Sequence, residues 1–143
     1  MDARTKKIAT VALHLAQQDN MREAAGYVER LNGTDGLIDA ILGWIDTYIA
    51  YCHPTHKEGE AIRIAWVDVD AATVHMDADD VHFGARWAGR LIAARAADDQ
   101  GQFLALLRSL PAGAALGDGI VALLRAVALG LNGVGYKATR STS

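Results

Sequence analysis

One cysteine, Cys52, is the chain's whole supply, which excludes an intramolecular disulfide and any CxxC zinc site. There are two prolines, Pro54 and Pro111, so helix breaks are few and well separated. No stretch reaches about 18 unbroken apolar residues, and no membrane-spanning helix is expected. Basic blocks are missing too. The formal net charge is −3, and a nucleic-acid binder working by counterion release needs a basic face. The nucleotide and hydrolase signatures are also absent: there is no P-loop, no GxGxxG, no GxSxG and no HExxH. Glu23 and Glu29 do not give the paired ExxE spacing that all-α nucleotide pyrophosphohydrolases use. The opening MDARTKKIATVALHLAQQDN has a short apolar stretch without an A-x-A cleavage site, so no secretory signal is expected. A reduced, cytoplasmic setting follows as the expectation.

What the chain does have is helical periodicity. Of its 143 residues, 51% are hydrophobic and 22% charged, enough for one compact domain with a core. No internal repeat and no linker divides it. Ile8, Val11, Ala12 and Leu15 place a first helix over about Thr5–Gln18. Asn20 with Glu23 opens a second, which buries Ala24, Tyr27, Val28 and Leu31. The third is capped by Thr34 or Asp35 and reaches about Tyr51. Its face is Leu37, Ile38, Ile41, Leu42, Ile45, Tyr48 and Ile49, with Trp44 and Tyr51 at the margin, and Pro54 ends it. AIRIAWVDV and a second short strand near Thr73–Met76 read as a β-hairpin. A fourth helix starts near Asp79 or Asp80 and buries Phe83, Trp87, Ala88, Leu91 and Ile92. Asp98 caps a fifth, which buries Phe103, Leu106, Leu107 and Leu110. The sixth, from about Asp118 to Leu131, is apolar nearly all round, so it is either central or covered by a partner. The expected fold is all-α: a single-domain bundle of five to six helices over residues 1–135, with a small β-hairpin insertion near residues 61–76. Residues 136–143 form a flexible C-terminal tail.

Chemistry concentrates in Asp68–His82, DVDAATVHMDADDVH. Carboxylates and imidazoles suit divalent ions, and a metal held here would use His75, Asp77, Asp79 and His82. The spacing fails the EF-hand: counted from Asp77, Val81 falls on a ligand position and His82 replaces the required glycine. Turn and helix-cap roles account for most of these aspartates. His53 and His56, next to Cys52, are a weaker zinc candidate, since Cys52 falls on the apolar side of its helix. His82, Arg86 and Arg90, spaced by four, form a cationic ridge that suits an acidic partner, a phosphate or a solvated face. Trp44, Tyr51 and Trp66 suit interface anchors or the rim of a core. Arg95 falls inside an apolar arc near a helix end, and is expected to find a carboxylate or helix-end carbonyls.

The run MDADDVHFGARWAGRLIAARAADDQGQFLALLRSLP, with the preceding LIDAILGWIDTYIAYCHP, resembles small helical proteins of no established activity from GC-rich Gram-positive bacteria and their phages. The features in common are the DADDV lead-in, the WAGRLIAARAADD helix and the FLALLRSLP helix. The resemblance spans about two-thirds of the chain and implies a helical fold without implying a reaction. The function expected is therefore a non-catalytic protein-interaction or regulatory protein, a phage or mobile-element accessory. It needs no cofactor and binds a protein partner or itself through the apolar sixth helix. The runner-up is a metal-dependent hydrolase using residues 68–82. Behind it stands a nucleic-acid-binding protein using the Arg86–Arg90 ridge.

Overall fold

The computed structural model describes residues 2–31, 34–62, 66–68, 73–75, 83–110 and 114–133. The described residues form an all-α bundle of six helices: α1 (Ala3–Gln17), α2 (Met21–Leu31), α3 (Gly36–Cys52), α4 (Phe83–Ala96), α5 (Gln100–Arg108) and α6 (Ala114–Leu131). Between α3 and α4, strands β1 (Trp66–Asp68) and β2 (Thr73–His75) pair antiparallel, with Trp66 opposite His75. No helix among the described residues is long and apolar enough to cross a membrane.

The bundle is organised around α6, which packs against α1, α2, α3 and α4. Ile120, Leu123, Leu124 and Val127 are completely enclosed. Most of the apolar arc of this helix is thus taken up inside the chain, while Val121, Leu129 and Leu131 stay half-buried. Its start also differs from the sequence expectation. The helix begins about one turn before Asp118, so Asp118 lies within it and does not cap it. Two glycines let its neighbours approach closely. A β-carbon at Gly130 would overlap the ring of Tyr48, and one at Gly119 would sit 2.5 Å from Leu110 Cδ1 and 3.2 Å from the Trp87 ring.

Helix α1 meets α3 through small side chains, and this changes which residues are buried. Its enclosed face is Thr5, Ile8, Ala9, Ala12 and Ala16, while Val11 and Leu15 are only half-buried. A β-carbon at Gly36 would overlap the Thr5 side chain, so Thr5 lies directly against the backbone at the start of α3. Asp2 caps α1 by accepting from Thr5 N at 2.7 Å, and that bond pulls its carboxyl pKa down.

Two tryptophans tie the bundle together. Trp44 Nε1 donates to Ala9 O at 3.0 Å, joining α3 to α1, and Trp87 Nε1 donates to Leu106 O at 2.8 Å, joining α4 to α5. A buried indole N–H left without an acceptor would be costly, so each bond helps fix its helix pair in register. Asn132 adds a polar clasp, donating from Nδ2 to Gln17 O at 2.9 Å.

Helices α1 and α4 end in the same way. Asp19 N donates to Ala16 O and Asn20 N to Leu15 O; Asp98 N donates to Arg95 O and Asp99 N to Ala94 O. This is the paired bonding of a Schellman stop, whose left-handed residue is usually glycine. Here it is aspartate, at φ +60° for Asp19 and +54° for Asp98. Asp98 therefore ends α4, and α5 is capped by its neighbour Asp99, which accepts from Gln102 N at 3.0 Å. A carboxylate at a helix C-terminus is also unfavourable to the helix dipole. Asp19→Gly should raise the unfolding free energy by about 1 kcal/mol. Urea denaturation measures this, and a lowered midpoint would mean that the Asp19 side chain makes a compensating contact.

Candidate functional site

The rotation of α3 sets up the site. Periodicity places Ile38 in the core and Trp44 at the edge, and the structure reverses them. Trp44 is 3% exposed and Ile38 is 47% exposed. Trp44 is drawn inward because α1 offers it a carbonyl and a small-residue face. Turning α3 that way lifts Ile38 and half-buried Leu42 toward solvent.

These two side chains form one wall of an open groove of about 200 Å³. The end of α4 contributes Ala94 and Arg95, the following turn Asp98 and Asp99, and α5 contributes Gln100, Phe103 and Leu104. Phe103 closes the floor, while Leu104 stands 43% exposed at the lip. Local rules account for the arrangement. Asp98 reverses the chain at the end of α4, Asp99 starts α5 immediately, and the short turn brings Phe103 back toward Ala94.

Arg95 crosses one end of the groove to α3. Its Nε lies 3.0 Å from Asp46 Oδ1 and its Nη2 lies 3.1 Å from Asp46 Oδ2, a two-pronged pair. The hydrogen bond to Asp46 pushes the Arg95 pKa further up. Both partners are well exposed, so the pair contributes about 0.2–1 kcal/mol. Its larger effect is to neutralise the cation that lines the groove.

No protein-family model, no curated protein and no solved structure matches this chain.

The sequence candidates fall elsewhere or outside the described residues. Trp44, read from the sequence as an interface anchor or the rim of a core, is a core residue hydrogen-bonded to α1. Tyr51 stands 65% exposed at the end of α3, away from the groove lining. Trp66 and His75 belong to β1 and β2, opposite each other. Arg86 is half-buried and Arg90 exposed on α4. Asp77, Asp79 and His82 lie outside the described residues. Among the described residues no three histidine, cysteine, aspartate or glutamate side chains are grouped so that they could hold a metal ion.

The Cys52–His53–His56 neighbourhood has a structural explanation. His56 Nε2 lies 2.7 Å from Glu60 O and 3.0 Å from Ala96 O. Both oxygens are acceptors, so this nitrogen carries the proton and is committed to holding the loop on the end of α4. Cys52 is buried, and burial raises its thiol pKa above the usual 9.0, so the nucleophilic thiolate is disfavoured. Beside it, burial pushes the Tyr48 phenol up to about 12. Both groups hold their protons more tightly folded than unfolded, so stability falls as pH rises through this range. Unfolding midpoints should begin to drop near pH 9 and keep dropping through about 12. Tyr48→Phe should flatten the part above about pH 10, and an unchanged alkaline limb would mean that Tyr48 is not enclosed.

The groove residues were missed by the sequence reading because each one fits an ordinary core or cap pattern. The available signal was a surplus. The apolar arc of α3 runs from Leu37 through Ile38 and Leu42 to Ile49, wider than one neighbouring helix covers.

Proposed function

We propose that this chain is a non-catalytic interaction protein that receives an apolar side chain of a protein partner in the groove between α3, α4 and α5. The observation that carries this reading is the placement of Ile38 and Leu104. Two large apolar side chains stand nearly half exposed around one concave surface, where water contact costs each roughly 1 kcal/mol. The volume supports a side chain over a metabolite. At about 200 Å³, the space falls below the roughly 300–1,000 Å³ typical of small-molecule and cofactor sites. The lining fits the pattern of a binding hot spot, an apolar pocket with a polar rim. It holds no nucleophile beside a general base. The resemblance to small helical proteins of GC-rich Gram-positive bacteria and their phages is compatible with an accessory role, since such a role requires only a partner.

The test is affinity capture from the native host with wild-type protein and with Ile38→Asp and Leu104→Asp. Both substitutions are at exposed positions and should shift stability by no more than about 0.5 kcal/mol. A partner held by the wild type should be lost by both variants, about tenfold or more in affinity. Retention of the same proteins by all three would overturn the docking reading.

A further inference from the structure

We infer that the occupant of the α3–α4–α5 groove is a basic segment of a protein partner, in which a bulky apolar residue is flanked by lysine or arginine. This rests on the docking reading above and specifies its partner.

The argument is charge complementarity around the apolar floor. On one side the α4–α5 turn carries exposed Asp98 and Asp99, both in the lining. On the other side is α3. At about 100° per residue, Asp35, Asp39 and Asp46 fall within about 100° of Ile38, toward the same side as Leu42. All three are exposed. The cation in the lining, Arg95, is already bound by Asp46. Helix ends do not reverse the balance. The start of α5 would favour an anion, but the Asp99 carboxylate already occupies it, and the neighbouring end of α4 favours cations.

An apolar groove between two aspartate-bearing walls repels nucleic acid, anionic lipid headgroups and fatty-acid carboxylates. It attracts a segment whose apolar anchor sits among positive charges, which increases both encounter rate and selectivity.

The charges can be removed without disturbing the fold. Asparagine tolerates the left-handed conformation at Asp98 and caps helices as well as aspartate does. The variant is therefore Asp35→Asn, Asp39→Asn, Asp98→Asn and Asp99→Asn together, with Asp46 left to hold Arg95. A displayed library of random dodecapeptides is selected on the full-length wild-type protein. Enriched peptides should be net positive with at least one bulky apolar residue. Their affinity should drop about tenfold or more on the asparagine variant and on raising the salt concentration. Neutral or acidic enriched peptides that bind the asparagine variant equally would overturn this inference while leaving apolar docking intact. No enrichment, or peptides indifferent to Leu104→Asp, would overturn both. A concentration-dependent dimer of the wild type, abolished by Leu104→Asp in light scattering, would assign the groove to a second copy of the chain and overturn the basic-partner inference.

Discussion

Trp44→Ala should cost about 3–5 kcal/mol of unfolding free energy, the range for emptying a buried aromatic site. Trp44 is enclosed on α3 and its Nε1 donates to Ala9 O at 3.0 Å. Truncation leaves a cavity between α1 and α3 and removes the acceptor's indole partner. Folded domains hold only about 5–15 kcal/mol in total, so the variant should sit near its unfolding threshold at ambient temperature. Trp44→Phe separates the two contributions. It keeps most of the volume and loses the hydrogen bond, with a smaller expected cost of about 1–2 kcal/mol. Urea denaturation followed by far-UV circular dichroism measures both. An interface anchor would behave otherwise, losing partner affinity at nearly unchanged stability. A Trp44→Ala variant within about 0.5 kcal/mol of the wild type would show that the indole is not enclosed.

The second large effect concerns α6. Leu124 is completely enclosed in the helix that α1, α2, α3 and α4 surround. Leu124→Ala should cost about 2–5 kcal/mol. Leu124→Asp places an unpaired carboxylate in the same site and should abolish the cooperative fold, since uncompensated buried charge is among the costliest changes. The pair tests whether α6 is central. If Leu124 faced solvent, Leu124→Asp would leave the protein well folded. Circular dichroism and light scattering on the same samples read both outcomes. A folded, monomeric Leu124→Asp variant would contradict the central placement of α6.

These two variants bear on function by exclusion. Trp44 and the Ile120–Leu124–Val127 side of α6 were sequence features that resembled a binding surface, and both are enclosed within the chain. Among the described residues, a surface that stays apolar and open is the groove of Ile38, Leu42, Phe103 and Leu104, with its aspartate rim. A substitution there should change binding and leave folding alone, the reverse of the pattern at Trp44 and Leu124.

Much of the secondary structure was legible in the sequence because its causes are local. The period of α3, ended by Pro54, needs only the chain's own residues. So does the break between α4 and α5, although the aspartate doing each job was exchanged: Asp98 stops α4 and Asp99 caps α5. Two adjacent residues of the same chemistry cannot be told apart by pattern, because the stop is a backbone conformation and the cap a side-chain bond. Arg95 was expected to find a carboxylate or helix-end carbonyls, and it is the Asp46 carboxylate that it finds. The start of α6 moved about a turn, because GAALGDG contains no residue that forces a helix to begin at Asp118.

The sequence by itself determined that this chain is helical, where most of its helices run, and that their apolar arcs make one core. Only the tertiary structure decided which part of each arc is covered. Periodicity defines an angular range, and on α3 that range is wider than one neighbour fills. The choice fell to contacts distant in sequence. Thr5 against Gly36 and Tyr48 against Gly130 set how closely α1 and α6 approach, and the Ala9 carbonyl drew Trp44 inward. The same contacts turned Ile38 and Leu42 outward and so made the groove. Backbone approach at small residues is a property of two helices together, and neither helix carries it in its own sequence.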